Sequence, residues 1–241
     1  MHYISGTDIG KMRKDNQDAY TFIEFDGTTV AAVVCDGMGG VSGGEIASKI
    51  AVTAIREYLL KNYKAEMTVE QVKELIEKSF TFSNEKICEY AETDAALQGM
   101  GTTAVLIFVI KNVAVIAHIG DSRAYLFDDS GITKLTKDHS LVQDMIDSGS
   151  ITEEEAKVHP HRNVITRVLG MKEPLQIDIG SISFSNSSIL LCTDGLTEYI
   201  DDEEIYEIVR NHPEICTKML VDIANERGGD DNITVAVLFS D

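Results

Sequence analysis

The sequence is short of several things, and each shortage narrows its function. It holds no run of about 18 apolar residues, the length a membrane-crossing helix requires. No basic stretch followed by an apolar one opens the chain, so no secretory signal is read and the cytoplasm is the expected compartment. The four cysteines, Cys35, Cys88, Cys192 and Cys216, lie far apart and form no C-x-x-C pair. That spacing offers neither a disulfide framework nor a thiolate zinc site. Cys35 and Cys192 fall inside apolar runs, where a thiol serves as a small buried hydrophobe. The three prolines mark no domain boundary, and no repeat, low-complexity tract or linker composition is present. Positive charge is scarce too: 21 basic residues stand against 40 acidic ones, a formal charge of −19. Such a balance argues against nucleic acid and against anionic membranes as partners.

What is present is organised around the run Val30-Ala31-Ala32-Val33-Val34-Cys35-Asp36-Gly37-Met38-Gly39-Gly40. The apolar, partly β-branched half predicts a buried strand, and it ends in an acid followed by glycines that let the backbone turn sharply. Asp36 is thereby placed at a strand tip, facing a cleft. The pattern recurs in Ile189-Leu190-Leu191-Cys192-Thr193-Asp194-Gly195, and in related form in Val115-Ile116-Ala117-His118-Ile119-Gly120-Asp121. Asp231 stands just before another apolar run, 233–239.

Along the chain, a strand is expected at 3–9, then a polar loop, Lys11-Met12-Arg13-Lys14-Asp15-Asn16-Gln17-Asp18. Asp26-Gly27 signals a hairpin between strands at 20–25 and 28–35. Ser42-Gly43-Gly44-Glu45 fits a helix-opening capping box, and Ile46, Ala47, Ile50, Ala51, Ala54, Ile55 and Leu59 follow at helical spacing. A second amphipathic helix is read over 68–92, so the two would form one helical layer on a sheet. Strands at 104–110, 113–119 and 123–127 are joined by short turns, which means antiparallel pairing. The segment 138–170 is polar, carries His139, His159 and His161, and reads as an insertion beside the cleft, with a second capping box at Thr152-Glu153-Glu154-Glu155. Strands at 175–183 and 188–193, helices at 201–211 and 214–227, and the strand at 233–239 complete the chain.

A single strand-tip aspartate is usually a turn residue. Asp36, Asp121, Asp194 and Asp231, all in that setting, point instead to convergence on hard cations, because clustered carboxylates repel one another unless cations stand between them. Oxygen ligands favour Mg²⁺ or Mn²⁺; zinc would call for His or Cys. Two such ions roughly 3.5–4 Å apart activate a water for in-line attack on phosphorus. Arg13 suits a phosphate clamp, since a guanidinium holds two oxygens at once. A salt bridge to Asp15 or Asp18 is its alternative role. A dinucleotide loop at Gly37–Gly40 is rejected because its third glycine is missing, and Ser122 has no evident histidine partner for a triad. The histidines of the 138–170 segment have two readings, as proton donors to a leaving group or as solvated loop residues.

Taken in order, these residues resemble the type 2C family of metal-dependent protein serine/threonine phosphatases, most closely its compact bacterial members. The similarity is carried by Arg13-x-x-Asn16-Gln17-Asp18, Asp36-Gly37-Met38-Gly39-Gly40, Gly101-Thr102-Thr103, Gly120-Asp121-Ser122-Arg123, Asp138-His139-Ser140-Leu141-Val142, Arg162-Asn163-x-Ile165-Thr166-Arg167, Thr193-Asp194-Gly195-Leu196 and Gly229-x-Asp231-Asn232-Ile233-Thr234. The resemblance implies an α+β fold, a four-layer α/β/β/α sandwich of two antiparallel sheets flanked by helices. It also implies one catalytic domain over 1–241, with a flap insertion at about 139–170 that influences substrate access. By position, Asp36, Asp194 and Asp231 would bind a first Mg²⁺ or Mn²⁺ ion. Asp36 and the Gly37 carbonyl would share a second, with Asp18 acting there directly or through water. Asp121, with Asp194, would hold a third, weaker ion, and Arg13 would bind phosphate. Two departures stand out. Gln17 replaces a glutamate common in relatives, and Met38 stands where eukaryotic members have a histidine proposed as general acid. The implied activity is hydrolysis of phosphoserine and phosphothreonine in proteins by a monomer opposing a bacterial serine/threonine kinase. A phosphatase dedicated to one regulatory partner and a non-catalytic phosphoprotein-binding module are the alternatives.

Overall fold

The computed structural model describes residues 1–39 and 43–240. Its strands are β1 (His2–Asp8), β2 (Asp18–Glu24), β3 (Val30–Met38), β4 (Gly101–Thr102), β5 (Ala104–Ile110), β6 (Val113–Ile119), β7 (Arg123–Asp128), β8 (Gly131–Lys134), β9 (Asp178–Ser183), β10 (Ser188–Cys192) and β11 (Ile233–Phe239). Its helices are α1 (Gly43–Asn62), α2 (Val69–Ala91), α3 (Leu141–Asp147), α4 (Glu153–Lys157), α5 (Asp194–Thr197), α6 (Asp202–Asn211) and α7 (Cys216–Arg227). One sheet runs β1-β11-β10-β7-β8; the other runs β2-β3-β5-β6-β9, with β4 paired to the end of β3. Every pairing is antiparallel.

Three apolar clusters make this an α/β/β/α sandwich. Between the sheets, Val30, Ala32, Val34, Val105 and Ile107 meet Ala124, Ile189, Leu191, Ala236 and Leu238. On the outer face of one sheet, Ala31, Val33, Leu106 and Phe108 pack on Ala47, Ala51, Ile55 and Leu59 of α1 and on Val72, Ile76 and Phe80 of α2. On the outer face of the other, Leu190, Val235 and Val237 pack on Ile205, Leu220 and Ala224 of α6 and α7. Successive residues of β3, β5 and β11 thus face opposite cores. This explains why they read as unbroken apolar runs and not as the alternation of a half-exposed sheet.

Most expected elements are found within a few residues of their predicted limits. The helix at 68–92 begins with a capping box in which the Thr68 hydroxyl accepts the Gln71 N–H while the Gln71 side chain accepts the Thr68 N–H. Thr152 and Glu155 form the same device at α4. The box read at Ser42 lies outside the described residues. Three expectations need correction. Strands β2 and β3 run further towards the cleft than predicted, so Asp18 and Asp36 lie inside the sheet, opposite each other in register. Asp194 is the first residue of the short helix α5, which follows Thr193, and not a strand tip. Asp128 to Gly131 turns into a strand that the sequence reading did not include, β8.

Phe108 is fully buried and touches Phe25 and Tyr63 at ring-centroid distances of 5.0 and 5.3 Å. Phe108→Ala is expected to lower stability by about 3–5 kcal/mol, through lost burial and the cavity left behind. Urea unfolding measures this, and a loss below about 1 kcal/mol would show that the layer is not packed as described.

Candidate metal centre

The aspartates meet at one end of the sandwich because hydrogen bonds tie the ends of both sheets together. On the β3 side, the Asp36 N–H donates to Thr103 Oγ1 at 2.9 Å, and the Asp36 carbonyl accepts the Thr103 N–H at 2.9 Å and Thr102 Oγ1 at 2.7 Å. Thr103 Oγ1 also lies 2.7 Å from Ser122 Oγ, beside Asp121. Across the sheets, Thr193 Oγ1 donates to Asp18 Oδ2 at 3.0 Å while accepting the Thr234 N–H at 3.0 Å. Gly37 admits no side chain: a Cβ would stand 2.0 Å from the Gly44 carbonyl oxygen and 2.6 Å from that of Gln17. This close approach brings the start of α1 against the end of β3.

Asn232 fastens the loop that carries Arg13. Its amide donates to the carbonyls of Ile9 and Asp15 at 2.9 and 3.1 Å, and its oxygen accepts the Gln17 N–H at 2.8 Å. Arg13 therefore lies over Asp231, with Nη2 2.6 Å from Oδ2 and Nε 3.2 Å from the Asp230 carbonyl. The alternative pairing with Asp15 or Asp18 is not what forms. The tether from Asn232 presents the guanidinium to Asp231 instead.

Three carboxylate oxygens, Asp18 Oδ1, Asp121 Oδ1 and Asp194 Oδ1, are buried without a hydrogen-bond partner among the described residues. An ionised oxygen left so is costly, and the acidities reflect it. Burial, then Asp194 and Asp231, push Asp18 up to about 7, against the hydrogen bonds from Thr234 and Thr193. Burial, then Asp194 and Asp138, raise Asp121 to about 8. Asp36 is held well above the carboxylate range by burial and by Asp18, Asp194, Asp121 and Asp231. Asp194 is raised by burial and by Asp231. Unpartnered oxygens from three separate segments, with no sulfur or imidazole among them, suit a hard divalent cation that prefers oxygen.

The sequence reading missed the roles of Thr103 and Thr193. Their signal was available in Thr102-Thr103 and Thr193-Asp194, where a hydroxyl sits beside a strand end. It also left His139 open as a proton donor or a solvated loop residue. His139 is 5% exposed and stacks on His118 with ring centroids 4.6 Å apart. His118, His139 and Asp178 bring one ligand atom each within 4.8 Å of one another, the only such group among the described residues. No three of the aspartates meet that distance among the described residues, and one oxygen of Asp231 is engaged by Arg13. The histidine group is nonetheless poorly suited to an ion. His139 Nδ1 accepts the Gly120 N–H at 3.1 Å, so its proton belongs on Nε2, where a cation would have to bind. The Arg167 guanidinium also occupies that space, with Nη1 3.2 Å from Nε2. Among the described residues Ser122 hydrogen-bonds Thr103 and no histidine, so no triad forms there.

A layered sandwich whose end gathers buried, unpartnered carboxylates beside an arginine defines a metal-assisted phosphohydrolase. A family model described as protein phosphatase 2C matches residues 6–233. The serine/threonine phosphatase stp of Listeria monocytogenes is 36% identical over 244 residues, covering 100% of this chain and 96% of its own length. The protein phosphatase PhpP of Streptococcus pneumoniae is 39% identical over 236 residues, covering 96% and 94%. Among solved structures, the S. agalactiae serine/threonine phosphatase superposes with a TM-score of 0.93 at 32% identity, covering 100% of this chain and 99% of that one. The catalytic domain of the phosphatase PstP, solved in complex with two manganese ions, has a TM-score of 0.82 at 32% identity, covering 98% and 96%. The chain belongs to the protein phosphatase 2C family, and it is a hydrolase.

The raised acidities make a pH prediction for protein freed of divalent cations by chelator. An unfolded aspartate titrates near 3.8, whereas folded Asp18 and Asp121 titrate near 7 and 8. Between those limits the folded state binds more protons, so stability falls as pH rises from about 4 to about 8. Urea unfolding in chelator from pH 5 to 9 should show this decline, and saturating Mn²⁺ should flatten it. Stability that rises with pH in chelator would contradict the buried, unpaired state of these groups.

Proposed function

We propose that the protein removes phosphate from phosphoserine and phosphothreonine in other proteins, as a single catalytic domain over 1–241 with a flap at 139–170. The observation that carries this reading is the trio of buried carboxylate oxygens without partners, on Asp18, Asp121 and Asp194, with Arg13 on the neighbouring Asp231. Asp36, Asp194 and Asp231 would hold one Mg²⁺ or Mn²⁺ ion. Asp36, the Gly37 carbonyl and Asp18 would hold a second, and Asp121 with Asp194 a third. Bound there, such ions supply the positive charge that neutralises a phosphate and makes a water nucleophilic near neutral pH.

The chain's own groups do the rest. Arg13, now on Asp231, would bind the phosphate, with Asp231 held instead by an ion at that site. Its fork orients the ester for in-line attack. Thr193 and Thr103 keep Asp18 and Asp36 in place, so the ligands need no rearrangement during the reaction. Met38, 39% exposed, carries no proton to give, so the leaving serine or threonine oxygen takes its proton from water or from another group. The substrates are phosphoproteins made by a serine/threonine kinase, and the kinase itself, acted on by a monomer in the cytoplasm. The charge of −19 gives such a surface no attraction for nucleic acid or anionic lipid. No helix among the described residues is long and apolar enough to cross a membrane.

The test is hydrolysis of an aryl phosphate and of a phosphothreonine peptide, with Mn²⁺ or with excess chelator. Turnover is expected with Mn²⁺ only, and undiminished turnover in chelator would end the reading. Asp36→Asn and Asp194→Asn should each abolish turnover in protein that still unfolds cooperatively. Arg13→Ala should chiefly raise KM, about tenfold or more, as expected for loss of uniform phosphate binding. An unchanged KM would remove Arg13 from the clamp role.

A further inference from the structure

His139 stands at the crossing of the flap and the loop that ends in Asp121. Its N–H donates to the Gly120 carbonyl at 2.9 Å, and its Nδ1 accepts the Gly120 N–H at 3.1 Å. One residue thereby fixes the peptide planes on both sides of Gly120 Cα. Gly120 has φ +103°, and a Cβ there would stand 2.5 Å from Thr103 Cγ2, so only glycine fits this bend. The next residue is Asp121, with its orphaned Oδ1. The tautomer this requires is held from the other side. With Nδ1 accepting, the ring proton sits on Nε2, which lies 3.4 Å from Asp178 Oδ2 and 3.2 Å from the donor Arg167 Nη1, so the carboxylate is the acceptor open to that proton. Arg167 Nη1 in turn binds Asp178 Oδ1 at 3.3 Å. The His139 carbonyl accepts the Thr166 N–H at 2.9 Å, and Ser140 bridges to Ile165, so both ends of the flap close on this residue. His118 stacks on the ring and spends its own Nε2–H on the Lys137 carbonyl at 2.8 Å.

We propose that His139 is a positioning residue: by clasping both polar groups of Gly120 it aims Asp121 into the carboxylate cluster, and it ties that aim to the seating of the flap. The proposal rests on the reading of Asp121 as a ligand for the third, weaker ion. Asp178 and Arg167 act through His139, since the carboxylate keeps the proton on Nε2 and the guanidinium, which comes from the flap, keeps the carboxylate in place. A flap that moves away takes the Thr166 contact and Arg167 with it, and so loosens the hold on Gly120. Supporting partners of this kind typically change metal affinity by about 10–100-fold when removed.

Two substitutions separate this role from simple packing. In His139→Asn the amide oxygen falls near the place of Nδ1 and still accepts the Gly120 N–H. In His139→Gln the polar end falls near the place of Nε2, so Asp178 keeps its partner and Gly120 loses one. Mn²⁺ binding, followed by the electron paramagnetic resonance of free Mn²⁺ and paired with thermal unfolding, reads each ion without reference to turnover. Asp121→Asn sets the benchmark by removing the weakest ion. His139→Gln should weaken that ion about tenfold while the tighter pair stays unchanged, and His139→Asn should remain within about threefold of the parent protein. Equal losses in the two variants, or an unaltered weakest ion in His139→Gln, would overturn the proposal. If Asp121→Asn alters no ion, the ligand reading itself fails, and the His139 role falls with it by a separate result. Should His139→Gln not fold, Asp178→Ala serves. That position is exposed, and its removal should weaken the same ion about threefold; no change there would likewise overturn the proposal.

Discussion

The constraint on which the rest of this structure depends is the burial of like charge. Asp18 and Asp36 face each other across an antiparallel pair, an arrangement that repels when both are ionised. Asp121, Asp194 and Asp231 approach the same end of the sandwich and add to the repulsion. A protein spends stability on such a cluster only where something else completes it. The orphaned oxygens are that incompleteness made visible, and a divalent ion bound there returns stability by mass action.

Holding repelling groups together requires a stiff frame, and the three cores supply it. Strands packed on both faces have little freedom at their ends, so a residue at the end of β3 or beside β10 is aimed by the packing of the whole sheet. The two sheets are separate hydrogen-bonded units, and the seam between them at the cleft is sewn by short polar side chains. Thr193 links Asp18 of one sheet to Thr234 of the other, and Asn232 fastens the Arg13 loop to the start of β11. His139 performs the corresponding task for Gly120 and the flap. These residues carry no chemistry of their own; they set where the chemistry can occur.

Much of this was legible in the chain. Strands β5 and β11 announced themselves as apolar runs, and the spacing of Ala47, Ala51, Ile55 and Leu59 announced α1. The ordered motifs pointed to the family and to the aspartates that gather at the cleft. The extension of β2 and β3 was not legible, because Asp18, Asp36 and Gly37 have poor strand propensity, and what holds them is remote: Thr102 and Thr103 bind Asp36 from 66 and 67 residues away, and Thr193 binds Asp18 from 175. Arg13 looked towards its neighbours Asp15 and Asp18, whereas its partner, Asp231, is 218 residues further along.

The order of strands, the apolar faces, the acidic excess and the set of candidate ligands were determined by the sequence itself, since each depends on residue type and short-range spacing. What only the tertiary structure decided is which groups go unsatisfied and which are spoken for. Arg13 rests on Asp231, Thr193 bonds Asp18, His139 clasps Gly120, and three carboxylate oxygens are left bare. A side chain's partner depends on what the remote chain brings within about 3 Å of it, and no local pattern encodes that distance.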